Sequence, residues 1–138
     1  MENKQERRVA LIGATTNTSR YAYFAAELFN QYKVEFVPLG IKTGEVFGNK
    51  ILDIRTFPAV GNIDTITLYL GPKNQLEYYE YLISLKPNRI IFNPGTENFE
   101  LSQLAQKNNI VVQEACTLVM LRLGNFNQYQ SVVDSDAS

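Results

Sequence analysis

Short apolar runs alternate with amphipathic stretches along the chain, and this alternation predicts secondary structure. Runs of three to six apolar residues that stop at glycine, proline or asparagine are typical of buried strands. Five strands are predicted, at residues 8–13, 34–37, 65–70, 89–92 and 110–112, with a further short strand or turn near 50–52. The second strand is expected to stop at Pro38, because proline has no N–H for a sheet ladder.

Helical spacing of apolar residues fills the intervals between these strands. It predicts helices over residues 20–32, 74–85, 96–107 and 117–123. Thr96 is expected to cap the third helix and Gly124 to end the fourth. Parallel strands need crossover connections, so the alternation predicts a doubly wound α/β fold with a mostly parallel five-stranded sheet and helices on both faces.

One domain accounts for the whole pattern. The 138 residues are 45% hydrophobic and 20% charged, which fits a single soluble domain. We assign residues 8–126 to this domain, residues 1–7 to a flexible N-terminal segment and residues 127–138 to a polar C-terminal tail. No apolar run approaches the roughly 18 residues that a membrane span needs, and residues 1–8 are polar, so we expect a cytoplasmic protein without a membrane partner.

Charge and histidine content narrow the function. Thirteen Lys and Arg face fourteen Asp and Glu, a net charge of −1, which argues against a nucleic-acid partner. The chain has no histidine, which excludes Ser/His/Asp and Cys/His catalysis, the HExxH metal site and phosphohistidine relays. Whether the protein is an enzyme stays open, but without histidine or another recognisable catalytic constellation we favour a binding role and expect no metal.

The loops at the carboxyl ends of the strands are where such a sheet binds ligands. They are residues 13–20, 38–48, 70–73 and 93–97. The first loop leads into a helix amino terminus, where free N–H groups and the helix dipole favour a phosphate, and Arg20 would add positive charge. The alternative is that Gly13 only allows a tight turn and that Arg20 is solvated.

Two features argue against a standard dinucleotide site. Only Gly13 is present of the G-x-G-x-x-G fingerprint, and the sequence Val37-Pro38-Leu39 stands where an Asp or Glu would hold the ribose hydroxyls. We therefore expect a phosphorylated nucleotide other than NAD.

Four segments, in order, carry a family resemblance. They are residues 9–15 with Arg20-Tyr21, residues 37–39 with 44–50, residues 93–98 and residues 111–116. Together they resemble the small CoA-binding proteins, single Rossmann-like domains similar to the nucleotide-binding domain of the succinyl-CoA synthetase alpha subunit. The likeness spans residues 9–123.

The resemblance implies a protein that binds coenzyme A or an acyl-CoA across the strand ends. The phosphates would lie beside Gly13, Ala14, Thr15 and Arg20, the adenosine beside Pro38, Leu39, Gly40, Lys42 and Gly48, and the pantetheine arm beside Leu70, Gly71, Pro94 and Gly95. Lys42 would meet the extra phosphate of CoA, and the alternative is that it is simply an exposed lysine. For the prolines and glycines after the later strands, the alternative is that they only end those strands. The synthetases pass phosphate through a histidine, so that reaction is not inherited.

Two alternatives to a CoA binder remain open. One is an enzyme that uses NAD(P) or another adenine nucleotide, and the other is a regulatory interaction domain that has lost its ligand. Cys116, at the family's cysteine position, would either form a mixed disulfide with the CoA thiol or pack inertly. The apolar helix 117–123 would either cover the domain's own core or contact a homodimer partner or another protein.

Overall fold

The computed structural model describes residues 7–130, which form a parallel sheet between two layers of helices. The strands are β1 (Val9–Ile12), β2 (Phe36–Gly40), β3 (Glu45–Val46), β4 (Asn49–Lys50), β5 (Leu52–Asp53), β6 (Thr65–Leu68), β7 (Arg89–Phe92) and β8 (Val111–Glu114). The helices are α1 (Tyr21–Gln31), α2 (Tyr79–Ser84), α3 (Phe99–Lys107) and α4 (Thr117–Leu123). The doubly wound, Rossmann-like α/β class predicted from the sequence is confirmed.

The main sheet has six strands in the order β5-β2-β1-β6-β7-β8, one more than the sequence indicated. The sixth strand is β5, which pairs with β2 through only two residues. Strands β3 and β4, which lie between β2 and β5 in the sequence, form a separate antiparallel hairpin. The chain runs outward from β1 in both directions, so the strand order reverses between β1 and β6.

The prediction that β2 stops at Pro38 is wrong. Pro38 lies inside β2, opposite Leu11 of β1. The carbonyls of Glu35 and Leu39 accept hydrogen bonds from the N–H groups of β1 and of the loop after it. The polar backbone groups of these residues therefore point toward β1. Because this direction alternates from one residue of a strand to the next, the backbone groups of Pro38 point to the other side. The missing N–H therefore faces the outer side of β2, where β5 pairs only with Leu39 and Gly40.

The helix predicted over residues 74–85 is shorter than expected. Residues Pro72–Asn74 and Leu76–Tyr78 form two tight 3₁₀ turns, and the α-helix begins only at Tyr79. Gln75, between the two turns, is fully buried, and its Nε2 donates to the carbonyls of Leu70 and Thr96 at 2.9 Å each. These bonds tie the segment to two strand-end loops instead of leaving it free to form a regular helix.

The predicted cap of α3 is also wrong. Asn98, not Thr96, caps this helix, with its Oδ1 accepting from the Leu101 N–H at 3.2 Å. The Thr96 hydroxyl instead donates to the Asn93 carbonyl at 2.8 Å, which keeps it in the turn after β7. The fourth helix, by contrast, has its predicted bounds and ends at Gly124 in the left-handed conformation.

Alternate residues of the strands face two separate cores. On one face, Val9 and Leu11 of β1 pack with residues of α1 and α4 such as Phe29 and Leu121. On the other face, Ala10, Ile12 and neighbouring strand residues pack with α2 and α3. Helix α4 thus covers the domain's own core, while its Val119 and Leu123 remain 49% and 72% exposed. A contact of these residues with a homodimer partner or another protein stays a prediction.

A buried arginine, Arg89, lies at the amino-terminal edge of the sheet, at the first position of β7. Arg89 has no exposed surface and stacks under the rings of Phe126 and Tyr129, at 4.6 and 4.0 Å from guanidinium carbon to ring centre. Burial lowers the pKa of Arg89 to about 10. The Tyr129 hydroxyl donates to the carboxylate of Asp64 at 2.8 Å.

Of the predicted terminal segments, residues 1–6 and 131–138 lie outside the described residues.

Candidate functional site

A cleft of about 1000 Å³ opens at the carboxyl ends of the strands, where the strand order reverses between β1 and β6. This is the place where open α/β sheets bind ligands. Ten of the predicted site residues line it, namely Gly13, Ala14, Thr15, Arg20, Gly40, Lys42, Leu70, Gly71, Pro94 and Gly95. The sequence-based assignment of the loops therefore converges on one cavity.

The loop from β1 to α1 presents a helix amino terminus to the cleft. Gly13 has a φ of +95°, a conformation that glycine adopts without strain, and its N–H donates to the Leu39 carbonyl at 2.8 Å. The loop is shaped by its own side chains, with Asn17 Oδ1 accepting from the Ser19 N–H at 3.0 Å. Helix α1 starts at Tyr21, directly after Arg20, and no side chain caps its first turn. The Tyr23 N–H donates to the Arg20 carbonyl at 3.0 Å, so the N–H groups of Tyr21 and Ala22 are the ones left for an anion in the cleft.

Gly40 lets the end of β2 lie directly against this loop. A Cβ atom at residue 40 would lie only 2.5 Å from the Ala14 carbonyl oxygen. Gly13 is in a similar position, because its Cβ would meet the backbone carbonyl of Tyr69 at 3.1 Å. Both glycines are therefore needed for the close packing of three strand ends, whatever ligand the cleft holds.

The half of the cleft beside β2 and β5 is cationic. Lys42 and Arg55 both line it and both are exposed. Arg55 makes a double contact with Asp53, with Nε to Oδ1 at 2.9 Å and Nη2 to Oδ2 at 3.0 Å. This contact lowers the pKa of Asp53 and raises that of Arg55. Arg55 was missed in the sequence, where the only available signal was a polar pair following a possible short strand.

The half beside β6 and β7 is formed by uncharged residues directly after these strands, and the one carboxylate of the described lining, that of Glu77, lies in the 3₁₀ turn Leu76–Tyr78 further along the chain. The uncharged residues are Tyr69, Leu70, Gly71 and the turn from Pro94 to Thr96. The two loops are held together from below by the buried Gln75 amide, whose Oε1 also accepts from Asn98 Nδ2 at 2.9 Å. The residues directly after β6 and β7 thus form an uncharged wall of the cleft, and the hydrogen bonds of Gln75 hold the two loops in place.

Asn93, directly after β7, connects β6, β7 and α4 by hydrogen bonds beneath this part of the cleft. It is 1% exposed, and its Nδ2 donates to Thr67 Oγ1 at 2.7 Å and to the Leu68 carbonyl at 2.8 Å. Its Oδ1 accepts from the Thr117 N–H at 2.9 Å, at the start of α4. Helix α4 has no local side-chain cap, so Asn93 takes that role from the neighbouring strand.

Tyr69 and Cys116 lie close together where this half meets the core shared by α1 and α4. The Tyr69 hydroxyl is buried without a hydrogen-bond partner among the described residues. Burial, with a smaller contribution from Cys116, raises the pKa of Tyr69. Cys116 itself is partly buried, packs against the core and does not line the cleft.

Three predicted residues do not reach the cleft surface. Pro38 and Leu39 are buried within β2, where their side chains face the interior of the domain. Gly48 lies in the turn of the β3–β4 hairpin, with a φ of +84°. Pro38 and Leu39 are thus part of the sheet, and Gly48 is part of a hairpin turn. None of the three lines the cleft.

A second groove of about 1000 Å³ runs between residues 57–64 and α2. It holds none of the predicted site residues, and the carboxylate of Asp64 on its wall already accepts hydrogen bonds from Thr65, Asn88 and Tyr129.

Between residues 7 and 130, no three His, Cys, Asp or Glu side chains are grouped to hold a metal ion. No helix in this range is both long and apolar enough to cross a membrane.

Comparisons with solved structures agree with this architecture. A protein of uncharacterised function is 49% identical over 87% of this chain and 98% of its own, with a TM-score of 0.83. A hypothetical protein from Pyrococcus horikoshii OT3 is 25% identical over 83% of this chain and 82% of its own, with a TM-score of 0.72.

A larger enzyme shares the fold alone. The dinucleotide-forming acetyl-coenzyme A synthetase 1 of Ca. Korarchaeum cryptofilum, solved with phosphate and ADP, is 15% identical over 78% of this chain and 25% of its own, with a TM-score of 0.61. No significant match was found among curated proteins.

The family model described as "CoA binding domain" matches residues 7–122. This range contains β1 through to the last turn of α4 and every residue that lines the cleft. Because the match covers most of the 138 residues, the chain belongs to the family of CoA-binding domains.

Proposed function

We propose that the cleft binds coenzyme A or an acyl-CoA and that the protein has no catalysis of its own. The pyrophosphate lies at the uncapped start of α1, beside Gly13, Ala14, Thr15 and Arg20. The phosphorylated adenosine lies in the cationic half, and the pantetheine arm follows the uncharged half past Leu70, Gly71, Pro94 and Gly95.

The difference in charge between the two halves carries this proposal. Arg20, Lys42 and Arg55 line the cleft from its centre to the β5 side, and the described lining contains one carboxylate, that of Glu77. CoA has the same asymmetry, with its phosphates at the adenosine end and an uncharged chain at the other. A ligand with charge at both ends would leave one charge in the uncharged half without a partner.

The size of the cleft supports a ligand larger than a mononucleotide. Small-molecule sites are typically about 300–1000 Å³, and this cleft, at about 1000 Å³, is at the upper end. Gly71 and Gly95 line the cleft, and a Cβ atom at either would meet nothing within 4 Å, so a thin extended chain can approach their backbone closely.

The test is calorimetric titration of the full chain with CoA, acetyl-CoA and NAD⁺. We expect CoA and acetyl-CoA to bind and NAD⁺ to bind much more weakly. Arg20→Ala should weaken CoA binding by roughly tenfold or more, since a hydrogen bond to a charged group contributes about 1.5–3 kcal/mol. The variant should also have a smaller salt dependence of binding.

Arg122→Ala is the matched control, because Arg122 is exposed on the last turn of α4 and does not line the cleft. Its CoA affinity should equal that of the unmodified chain. Tight binding of NAD⁺ without binding of CoA, or an Arg20→Ala variant with unchanged CoA affinity, would contradict the proposal.

A further inference from the structure

We propose that Arg55, oriented by Asp53, determines specificity by binding a phosphate on the adenosine ribose of the ligand. The inference rests on the proposed function and concerns the cationic half of the same cleft. It predicts that the protein distinguishes a ligand with a phosphorylated ribose from the same ligand without that phosphate.

The position of this pair follows from the pairing of β5 with β2. Gly40, the last residue of β2, lies opposite Asp53, the last residue of β5. In dinucleotide enzymes, the end of the second strand is where a carboxylate binds the ribose hydroxyls. Here that position is a glycine, and the carboxylate is supplied by the neighbouring strand instead.

Both oxygens of the Asp53 carboxylate, however, already accept hydrogen bonds from Arg55. Its Oδ1 accepts from the backbone N–H of Arg55 at 3.0 Å and from Nε at 2.9 Å, and its Oδ2 accepts from Nη2 at 3.0 Å. Arg55 lines the cleft, whereas Asp53 does not. A ribose at this position therefore meets a guanidinium group, which only donates hydrogen bonds and matches the oxygens of a phosphate.

The guanidinium retains donors for a ligand. Of its five N–H groups, the contact with Asp53 uses one on Nε and one on Nη2. The side-on contact also restricts the arginine side chain, so less rotamer entropy is lost when a ligand binds. An exposed pair of this kind adds little to stability, which leaves orientation of Arg55 as its main physical effect.

Lys42 contributes a second positive charge to the same half of the cleft. Its flexible ammonium group attracts an anion without fixing its orientation, whereas the planar fork of Arg55 can bind two phosphate oxygens at once. Removal of Lys42 should therefore weaken binding of all phosphorylated ligands, and removal of Arg55 should act on the ribose phosphate in particular.

The test compares the dissociation constants of CoA and dephospho-CoA, which differ only in the 3′-phosphate. The unmodified chain should prefer CoA by roughly tenfold or more, as expected for a charge-assisted contact. Arg55→Gln should reduce this preference to within about a factor of three, because it should weaken binding of CoA much more than binding of dephospho-CoA. Measurable binding of dephospho-CoA also shows that the variant is folded. Arg122→Gln, at an exposed arginine outside the cleft, should behave as the unmodified chain.

Asp53→Asn separates positioning from charge. It keeps the Arg55 charge but removes the partner that orients it, so the preference for CoA should fall part of the way toward that of Arg55→Gln. A preference that stays unchanged in Asp53→Asn would overturn the positioning role of Asp53.

The outcomes for the inference and for the proposed function are distinct. If CoA and dephospho-CoA bind equally to the unmodified chain, or if Arg55→Gln weakens both equally, the inference is wrong and the proposed function stands. If neither binds, the proposed function fails. Preference for NADP⁺ over NAD⁺ that depends on Arg55, without binding of CoA, would support ribose-phosphate recognition and refute CoA as the ligand.

Discussion

Replacement of Asn93 by alanine tests whether the polar network under the cleft holds the fold together. The substitution removes three hydrogen bonds that join the ends of β6 and β7 to the start of α4. It leaves two buried groups without a partner from this side chain, the Thr117 N–H and the Leu68 carbonyl. The Thr67 hydroxyl keeps a partner, because it also pairs with the Thr117 hydroxyl at 2.8 Å.

The expected cost follows from those two groups. Each buried polar group left unpaired costs about 1–3 kcal/mol, so the two groups together should lower the free energy of unfolding of Asn93→Ala by roughly 2–6 kcal/mol. That is a large fraction of the total stability of about 5–15 kcal/mol for a domain of this kind. The effect should be concentrated in α4, whose first turn depends on the Asn93 oxygen.

Urea denaturation followed by circular dichroism measures this change, and hydrogen exchange locates it. Amide protection should fall more in α4 than in α3. The matched control is Asn108→Ala, since the exposed Asn108 makes a single side-chain bond to the Leu104 carbonyl, and this change should cost less than about 1 kcal/mol. An Asn93→Ala variant whose stability is within 1 kcal/mol of the unmodified chain would refute this reasoning.

Other positions give independent tests. Gly40→Ala should destabilise the domain by about 1–3 kcal/mol in thermal unfolding, because the new Cβ would lie 2.5 Å from the Ala14 carbonyl oxygen. Tyr129→Phe should cost about 1–3 kcal/mol in urea denaturation through loss of its bonds to Asp64. Burial raises the pKa of Tyr69 above its ordinary value of 10, so the folded chain keeps this proton where the unfolded chain releases it. Stability should therefore fall above pH 10, and Tyr69→Phe should reduce that fall without loss of stability at pH 7.

Local sequence patterns were enough to define the class of fold and the position of the cleft. The bounds of β7 and α4 are those that the pattern predicts, since four apolar-rich residues before Asn93 and a seven-residue helix before Gly124 are local signals. The alternation of strands and helices requires crossovers, and crossovers bring the strand ends to one edge. The convergence of Gly13, Arg20 and Gly95 on one cleft follows from this topology.

The tertiary structure decided the features that depend on partners distant in the chain. Pro38 fits inside β2 because its missing N–H faces the outer side of the strand, and the side on which a strand pairs is not encoded in its own periodicity. Arg89 is buried because the rings of Phe126 and Tyr129 enclose it, although an arginine would be expected at the surface. Arg55 reaches the cleft because β5 pairs with β2. In each case the local sequence allows several environments, and contacts between residues far apart in the chain select one of them.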